Sequence, residues 1–87
     1  MRTYLVFIRC ELGRTYEVAG HLAEIEQAPH VHSVSGEYDL FCMFNLADDA
    51  DVGRFITDTV QTIPGIRETQ TIVCFNPFTS DKGLRDG

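Results

Sequence analysis

The segment Gly36-Glu37-Tyr38-Asp39 carries the residue types best suited to binding a small charged molecule. Glycine lets the backbone approach a ligand closely, and Asp39 offers an acceptor for an ammonium group. Backbone amides near Gly36 are donors for a carboxylate, and such charge-assisted hydrogen bonds are roughly twice as strong as neutral ones. The segment is also typical of a plain hairpin turn, but a turn does not require a bulky Tyr38. We therefore predict a site for a small zwitterion at this segment.

A second candidate is the pair Thr69 and Thr71, which follows the run Ile63-Pro64-Gly65-Ile66. Residues two apart in a strand point to the same face. The pair is equally typical of the surface of an edge strand, because threonine is a favoured strand residue. Its hydroxyls matter for binding only if that face lines a cleft.

Other clusters of reactive residues favour structural interpretations. His30 and His32 share a strand face but have no evident third metal ligand. The aspartates at 48, 49 and 51 lack the glycine and terminal glutamate of a calcium loop, so helix capping explains them better. No nucleophile elbow, phosphate-binding loop or Cys-x-x-Cys motif occurs, and the three cysteines lie in apolar runs. We predict no catalytic residue, no metal and no cofactor.

The composition limits the classes of function. Eighty-seven residues make one domain, and a net charge of −6 with scattered basic residues argues against direct DNA binding. No apolar run is long enough to span a membrane, and the start lacks a signal-peptide cleavage site, so we expect a cytoplasmic protein with no membrane partner. Hydrophobic residues make up 44% of the chain, which is high for a domain of this size and suggests a face buried against a second copy.

The hydrophobic pattern predicts the element order β-α-β-β-α-β. Apolar runs indicate strands at 4–10, 30–35, 40–46 and 66–75. A helix is predicted between Gly13 and Pro29, and a second one from the aspartates to Pro64. This order is that of an α+β, ferredoxin-like fold, with the first and third strands in the centre. We assign residues 1–76 to this domain and expect the tail, 77–87, to be partly mobile.

The two central strands are apolar on both faces, but both helices of this plan cover the same face. The uncovered face carries Leu5, Phe7, Phe41 and Met43 or the alternate set. An apolar patch of this kind usually marks an interface. We therefore predict a dimeric α/β barrel in which two sheets pack face to face.

Three segments, HLAEI at 21–25, VSGEYDL at 34–40 and IPGIRETQT at 63–71, give the chain a family likeness. In their order and spacing the chain resembles the ligand-binding (RAM) module of the Lrp/AsnC transcriptional regulators, from about Tyr4 to Phe75. The resemblance implies homodimers that assemble into rings, octamers or similar, with an amino acid effector bound in clefts between subunits. It implies six ligand-binding residues: Gly36, Tyr38, Asp39, Ile66, Thr69 and Thr71.

Regulators of this family normally carry a helix-turn-helix domain, and we expect this chain to lack one, since its first strand begins near Met1. The resemblance therefore suggests a stand-alone module for sensing and oligomerisation that co-assembles with full-length regulators. Three alternatives remain. One is a small dimeric α/β-barrel enzyme, such as a cofactor-independent monooxygenase, using His21, His32, Tyr38 or Asn45. The others are an ACT-type regulatory domain, whose side-by-side sheets would leave the apolar face exposed, and an assembly module with an empty cleft.

Overall fold

The computed structural model describes residues 1–28 and 30–78. Its elements follow the predicted order, and four antiparallel strands form one sheet in the order β2-β3-β1-β4, with the first and third in the centre as predicted. The strands are β1 Arg2–Cys10, β2 His30–Ser33, β3 Leu40–Leu46 and β4 Ile66–Val73; the helices are α1 Thr15–Ala23 and α2 Val52–Phe55, and α2 continues into a π-helical turn, Ile56–Val60.

The central strands β1 and β3 bury one face completely. In β1, Tyr4, Val6, Ile8 and Cys10 are buried and alternate with half-buried neighbours. Because directly paired residues share a face, the buried residues of β3 lie beside them, and Val6 pairs with Cys42. Both helices pack on this face, and one core cluster contains Val6, Ile8, Cys10, Val18, Leu22, Ala28, Leu40, Cys42, Phe44, Ile56 and Val60.

The opposite face of the sheet is not covered by either helix. We call it the open face; its central apolar residues are Leu5, Phe7, Phe41 and Met43, each half-buried. Phe7 and Phe41 pack with ring centroids 5.3 Å apart. The open face therefore carries the first of the two residue sets that the sequence allowed.

Helix α1 is shorter than predicted. It ends at Ala23, and the Glu24 and Ile25 amides donate to the carbonyls of His21 and Leu22, three residues back, as in a tightening last turn. Ile25 and Ala28 still pack on the core, but from turns rather than from a helix. The prediction that the helix runs to Pro29 was wrong, and Pro29 itself lies outside the described residues.

The second helix begins where the aspartates predict it. Asp51 is its N-cap, and one carboxylate oxygen accepts a hydrogen bond from the Arg54 amide at 3.1 Å. The helical path then widens, since the Gln61 amide donates to the carbonyl of Ile56, five residues back, at 2.8 Å. This π-helical turn buries Ile56 and Val60 and ends there, short of the predicted stop at Pro64.

The edge strands are also shorter than predicted: β2 ends at Ser33 and β4 at Val73. Pro77 and Phe78 are exposed and outside any strand. The remainder of the predicted tail, 79–87, lies outside the described residues. Within the described part of the chain, no helix is both long and apolar enough to cross a membrane.

Gly65 holds the turn before β4 against α1. Its φ is +99°, and a Cβ placed there would lie 2.9 Å from Val18 Cγ2 and 3.1 Å from Arg14 Cβ. Its carbonyl accepts a hydrogen bond from the Glu11 amide at 2.7 Å. The position therefore needs glycine both for its backbone conformation and for the space beside Val18.

We predict that Gly65→Ala lowers the free energy of unfolding by at least about 1–3 kcal/mol, because it combines an unfavourable φ with a core clash. Two matched substitutions separate these causes. Gly36→Ala also has a positive φ (+110°) but meets no atom within 4 Å, and Gly20→Ala in α1 meets neither problem. In urea titrations, Gly65→Ala should lower the free energy of unfolding most, Gly36→Ala should lower it less, and Gly20→Ala should leave it unchanged or raise it. Equal losses at Gly65 and Gly36 would contradict the packing argument.

Candidate functional site

The loop between β2 and β3 is tied to the end of β1 through Asp39. The Asp39 amide donates to the Ile8 carbonyl at 2.9 Å, and its carboxylate Oδ2 accepts from the Cys10 amide at 2.8 Å. The Asp39 carbonyl accepts from the Val34 amide at 3.0 Å, which closes the loop around Gly36. Asp39 was predicted as a ligand acceptor; the structure gives one of its oxygens a backbone partner within the chain.

Tyr38 lies on the open face. Its hydroxyl donates to Gln70 Oε1 of β4 at 2.8 Å, and its ring centroid is 5.6 Å from that of Phe7. The guanidinium carbon of Arg9 lies 5.1 Å from the Tyr38 ring centroid, within the range of a cation–π interaction. Tyr38 thus links the loop, β1 and β4 at one end of the open face.

Thr69 and Thr71 lie on the opposite side of the sheet. They pair with Ile8 and Val6, whose side chains face the helices. On that side β4 and the second helix bound an open cleft of about 330 Å³, and Gln61 Nε2 donates to Thr69 Oγ1 at 2.9 Å. The cleft is lined by Val52, Gly53, Ile56, Thr57, Gln61, Thr69 and Thr71.

Ile66 reaches the helix side because of an irregularity in β4. Arg9 pairs with Glu68, but Cys10 pairs with Ile66, so Arg67 is an extra residue in the ladder. The extra residue reverses the alternation, and Ile66 packs against the core rather than on the open face. Ile66 therefore lies on the same side of the sheet as Thr69 and Thr71.

The six predicted ligand residues thus form two groups within one chain. Tyr38 reaches the open face from the exposed loop that holds Gly36, while the β4 residues lie on the helix side. A ligand that touches both groups needs a second copy to bring them together. Three side chains that the sequence did not single out belong to these sites: Arg9, Gln61 and Gln70. Of these, Arg9 had a signal, a charged residue inside the apolar run 4–10.

Burial keeps the thiols of Cys10 and Cys42 in their neutral form. Burial raises the pKa of Cys42 to about 12. Burial also raises the pKa of Cys10, opposed by a hydrogen bond with Thr15 and reinforced by the nearby Asp39 carboxylate. In the described part of the chain all three cysteines are free thiols, with Cys10 and Cys42 buried and Cys74 half-buried.

The residues considered for an enzyme do not converge. His21 is exposed on α1, His32 stacks on Phe41 of the open face at 6.3 Å, and Asn45 accepts a hydrogen bond from Thr3 Oγ1 at 2.9 Å. His30 and His32 have nearly parallel rings 6.3 Å apart. Among residues 1–28 and 30–78, no group of three or more His, Cys, Asp or Glu side chains is placed to hold a metal ion.

Comparison with known proteins identifies the family. The model of the Lrp/AsnC ligand-binding domain matches residues 3–84, nearly the whole chain. The chain belongs to this family. The curated relatives include transcriptional regulators, and this chain matches the ligand-binding domain of that family.

Three relatives illustrate the likeness. The uncharacterized HTH-type transcriptional regulator PH1916 of Pyrococcus horikoshii is 36% identical over 59 residues, which are 68% of this chain and 39% of the regulator. The chain thus spans about two fifths of the length of that relative. The crystal structure of TTHA0845 from Thermus thermophilus superposes with a TM-score of 0.84 at 29% identity, covering 91% of this chain and 99% of that one. The transcriptional regulator NMB0573 of Neisseria meningitidis, solved as an L-Met complex, shares the fold with a TM-score of 0.80 at 14% identity, covering 90% and 52%.

We predict that Asp39→Ala destabilises the domain by about 1–3 kcal/mol, because the amide of the buried Cys10 loses its acceptor. Asp39→Asn keeps an oxygen acceptor and should lose less. Asp49→Ala, at an exposed position in the turn before α2, is the matched control and should be close to neutral. Chemical denaturation followed by circular dichroism measures all three, and a loss for Asp39→Ala no larger than for the control would refute the structural role of this carboxylate.

Proposed function

We propose that this domain is a non-enzymatic module that binds an amino acid and self-associates in the control of transcription. The observation that carries the proposal is the position of the Gly36–Asp39 loop, at the rim of an apolar sheet face that neither helix covers. A second copy packed on that face would close a cleft at the loop. The family membership supports a ligand-binding role for the same chain.

Dimerisation through the open face is the first part of the proposal. The β2-β3-β1-β4 order is the one the ferredoxin-like plan requires, and it leaves the side chains of Leu5, Phe7, Phe41 and Met43 without a covering layer. Ile72 of β4 extends the apolar patch, with 41% of its surface exposed. Apolar area removed from water contributes roughly 25 cal/mol per Å², so a second sheet is the simplest partner for this face.

Amino acid binding is the second part. An amino acid has one ammonium and one carboxylate group, and the loop offers both kinds of partner: acidic side chains at 37 and 39 and backbone amides around Gly36. The complex of the Neisseria regulator with L-Met supports this ligand class for the shared fold. In an assembly of several copies, the Thr69 and Thr71 side of β4 from one copy would meet the loop of another.

Co-assembly with longer regulators is the third part. The curated relatives are HTH-type regulators more than twice as long as the matched segment. A domain that self-associates through a shared face can join such a chain through the same face, and the effector would then alter the regulator's oligomeric state. Ring assemblies, octamers or similar, would follow from a second contact between dimers.

We predict that the wild-type protein is a dimer at micromolar concentration and that Phe41→Asp is a folded monomer. A carboxylate at the centre of the open face would be desolvated on dimerisation without a partner, while in the monomer it remains half-exposed. Leu12→Asp, at a position 99% exposed in the turn before α1, should keep the wild-type mass. Light scattering gives the mass and circular dichroism the fold; a monomeric wild type, or a dimeric Phe41→Asp, would refute this interface.

We predict that at least one of the twenty amino acids raises the thermal midpoint of the wild-type protein by several degrees. A ligand present at 100 times its dissociation constant adds about 2.7 kcal/mol to the free energy of unfolding. The screen uses each amino acid at millimolar concentration, with the D-enantiomer of each chiral amino acid as the control for specific contacts. No shift with any of the twenty would refute amino acid sensing and leave the assembly role.

A further inference from the structure

Arg9 is a charged residue at one end of the apolar open face. It is the penultimate residue of β1, its side chain is 34% exposed on the open face, and it pairs across the ladder with Glu68. Charged groups at such positions are rare unless they are paired, because desolvation costs free energy. The position therefore needs an explanation in terms of what Arg9 contacts.

The contacts inside the chain leave the guanidinium incompletely satisfied. Arg9 Nε lies 3.5 Å from Glu68 Oε1, close enough for an ion pair but not aligned as a hydrogen bond. Within the described part of the chain this buried Nε has no hydrogen-bond partner. Glu68 is 55% exposed, so the ion pair is loose and open to solvent. A guanidinium carries five N–H donors. Leaving a buried donor without an acceptor costs more free energy of folding than a typical hydrogen bond contributes.

Aromatic packing places the guanidinium beside Tyr38. Its carbon lies over the ring of Tyr38, and Tyr38 packs on Phe7. Gln70 Oε1 accepts a hydrogen bond from the Tyr38 hydroxyl, and this bond orients the Gln70 carboxamide. Within residues 1–28 and 30–78, the NH2 group of Gln70 is left without an acceptor. Arg9 and Gln70 thus present N–H donors at the same end of the open face, beside the loop that contains Gly36.

We propose that Arg9, rather than the backbone amides around Gly36, binds the carboxylate of the effector, with the Gln70 amide as a second donor. Glu68, rather than the acidic side chains of the loop, binds the ammonium group. The inference rests on the proposed binding of an amino acid and names the residue that recognises its carboxylate. Planar guanidinium and planar carboxylate match in a two-bond geometry that lysine does not offer. A net charge of −6 and the nearby acidic residues disfavour a polyanion such as a nucleotide, whereas a zwitterion matches both signs.

The site lies where a cleft between two copies would form. Arg9 is next to Cys10, whose amide is bonded to Asp39, so the carboxylate site and the loop are joined through one backbone link. The apolar residues Phe7 and Phe41 continue the face away from the site. The bound effector would therefore contact the edge of the dimer interface, and its binding would be linked to self-association.

The test compares each of the twenty amino acids with its carboxamide, which keeps the ammonium group and removes the negative charge. Isothermal titration calorimetry of the wild-type protein should show that the amino acid binds more tightly than its carboxamide. In Arg9→Gln the affinity for the acid should fall roughly ten- to a hundredfold, the usual effect of losing a hydrogen bond to a charged group, and the preference for acid over amide should disappear. Arg9→Lys should recover only part of the loss. Arg54→Gln, an exposed arginine of α2, is the control and should bind like the wild type.

The outcomes separate this inference from the proposed function. If Arg9→Gln binds the acid as tightly as the wild type, or the wild type binds acid and amide equally, the carboxylate assignment is overturned while amino acid sensing stands. If no amino acid binds the wild type, the sensing role itself is overturned. Light scattering on Arg9→Gln checks the oligomeric state, and the acid-versus-amide comparison in the wild type decides the matter even if that variant fails to dimerise.

Discussion

The alternation of side chains along β1 is the constraint on which the rest of the structure depends. Its residues with even numbers from Tyr4 to Cys10 are buried under both helices, and the same core cluster fixes α1, α2 and β3. Because successive strand residues must point to opposite faces, this burial commits Leu5, Phe7 and Arg9 to the other side. The apolar open face and the position of Arg9 on it both follow from how the helices pack.

The hydrogen bond from the Cys10 amide to the Asp39 carboxylate fixes the loop between β2 and β3 to the end of β1. This bond adds to the backbone contacts of Val34 and Asp39 and to the side-chain contacts of Tyr38. With it, Tyr38 is held close enough to reach Gln70, so the loop, β1 and β4 share one polar network at the end of the open face. The network combines a cation, carboxylates, a phenol and an amide, which is the chemistry expected for a small zwitterion and not for a purely apolar interface.

Strong local patterns allowed much of this fold to be predicted from the sequence. The apolar run 40–46 matches β3 residue for residue, and the acidic cluster before Val52 marked the start of α2. Ile25 and Ala28 follow the helical spacing of α1 in the sequence, but they lie beyond its end. Turns pack them on the core, so their spacing falsely predicted a longer helix. The π-helical turn left no mark on the sequence. The role of Asp39 could not be foreseen, since its partner amide lies 29 residues earlier and is brought close only by the sheet.

The extra residue at Arg67 has a further consequence for how this strand can change. Deletion of Arg67 alone would convert the ladder to a regular one, because Ile66 would then directly precede Glu68 and still pair with Cys10. Ile66 would stay in the core, Glu68 and Gln70 would stay on the open face, and the two threonines would stay on the helix side. The faces of β4 therefore do not depend on keeping the extra residue, and its effect is to bend the strand and increase its twist locally.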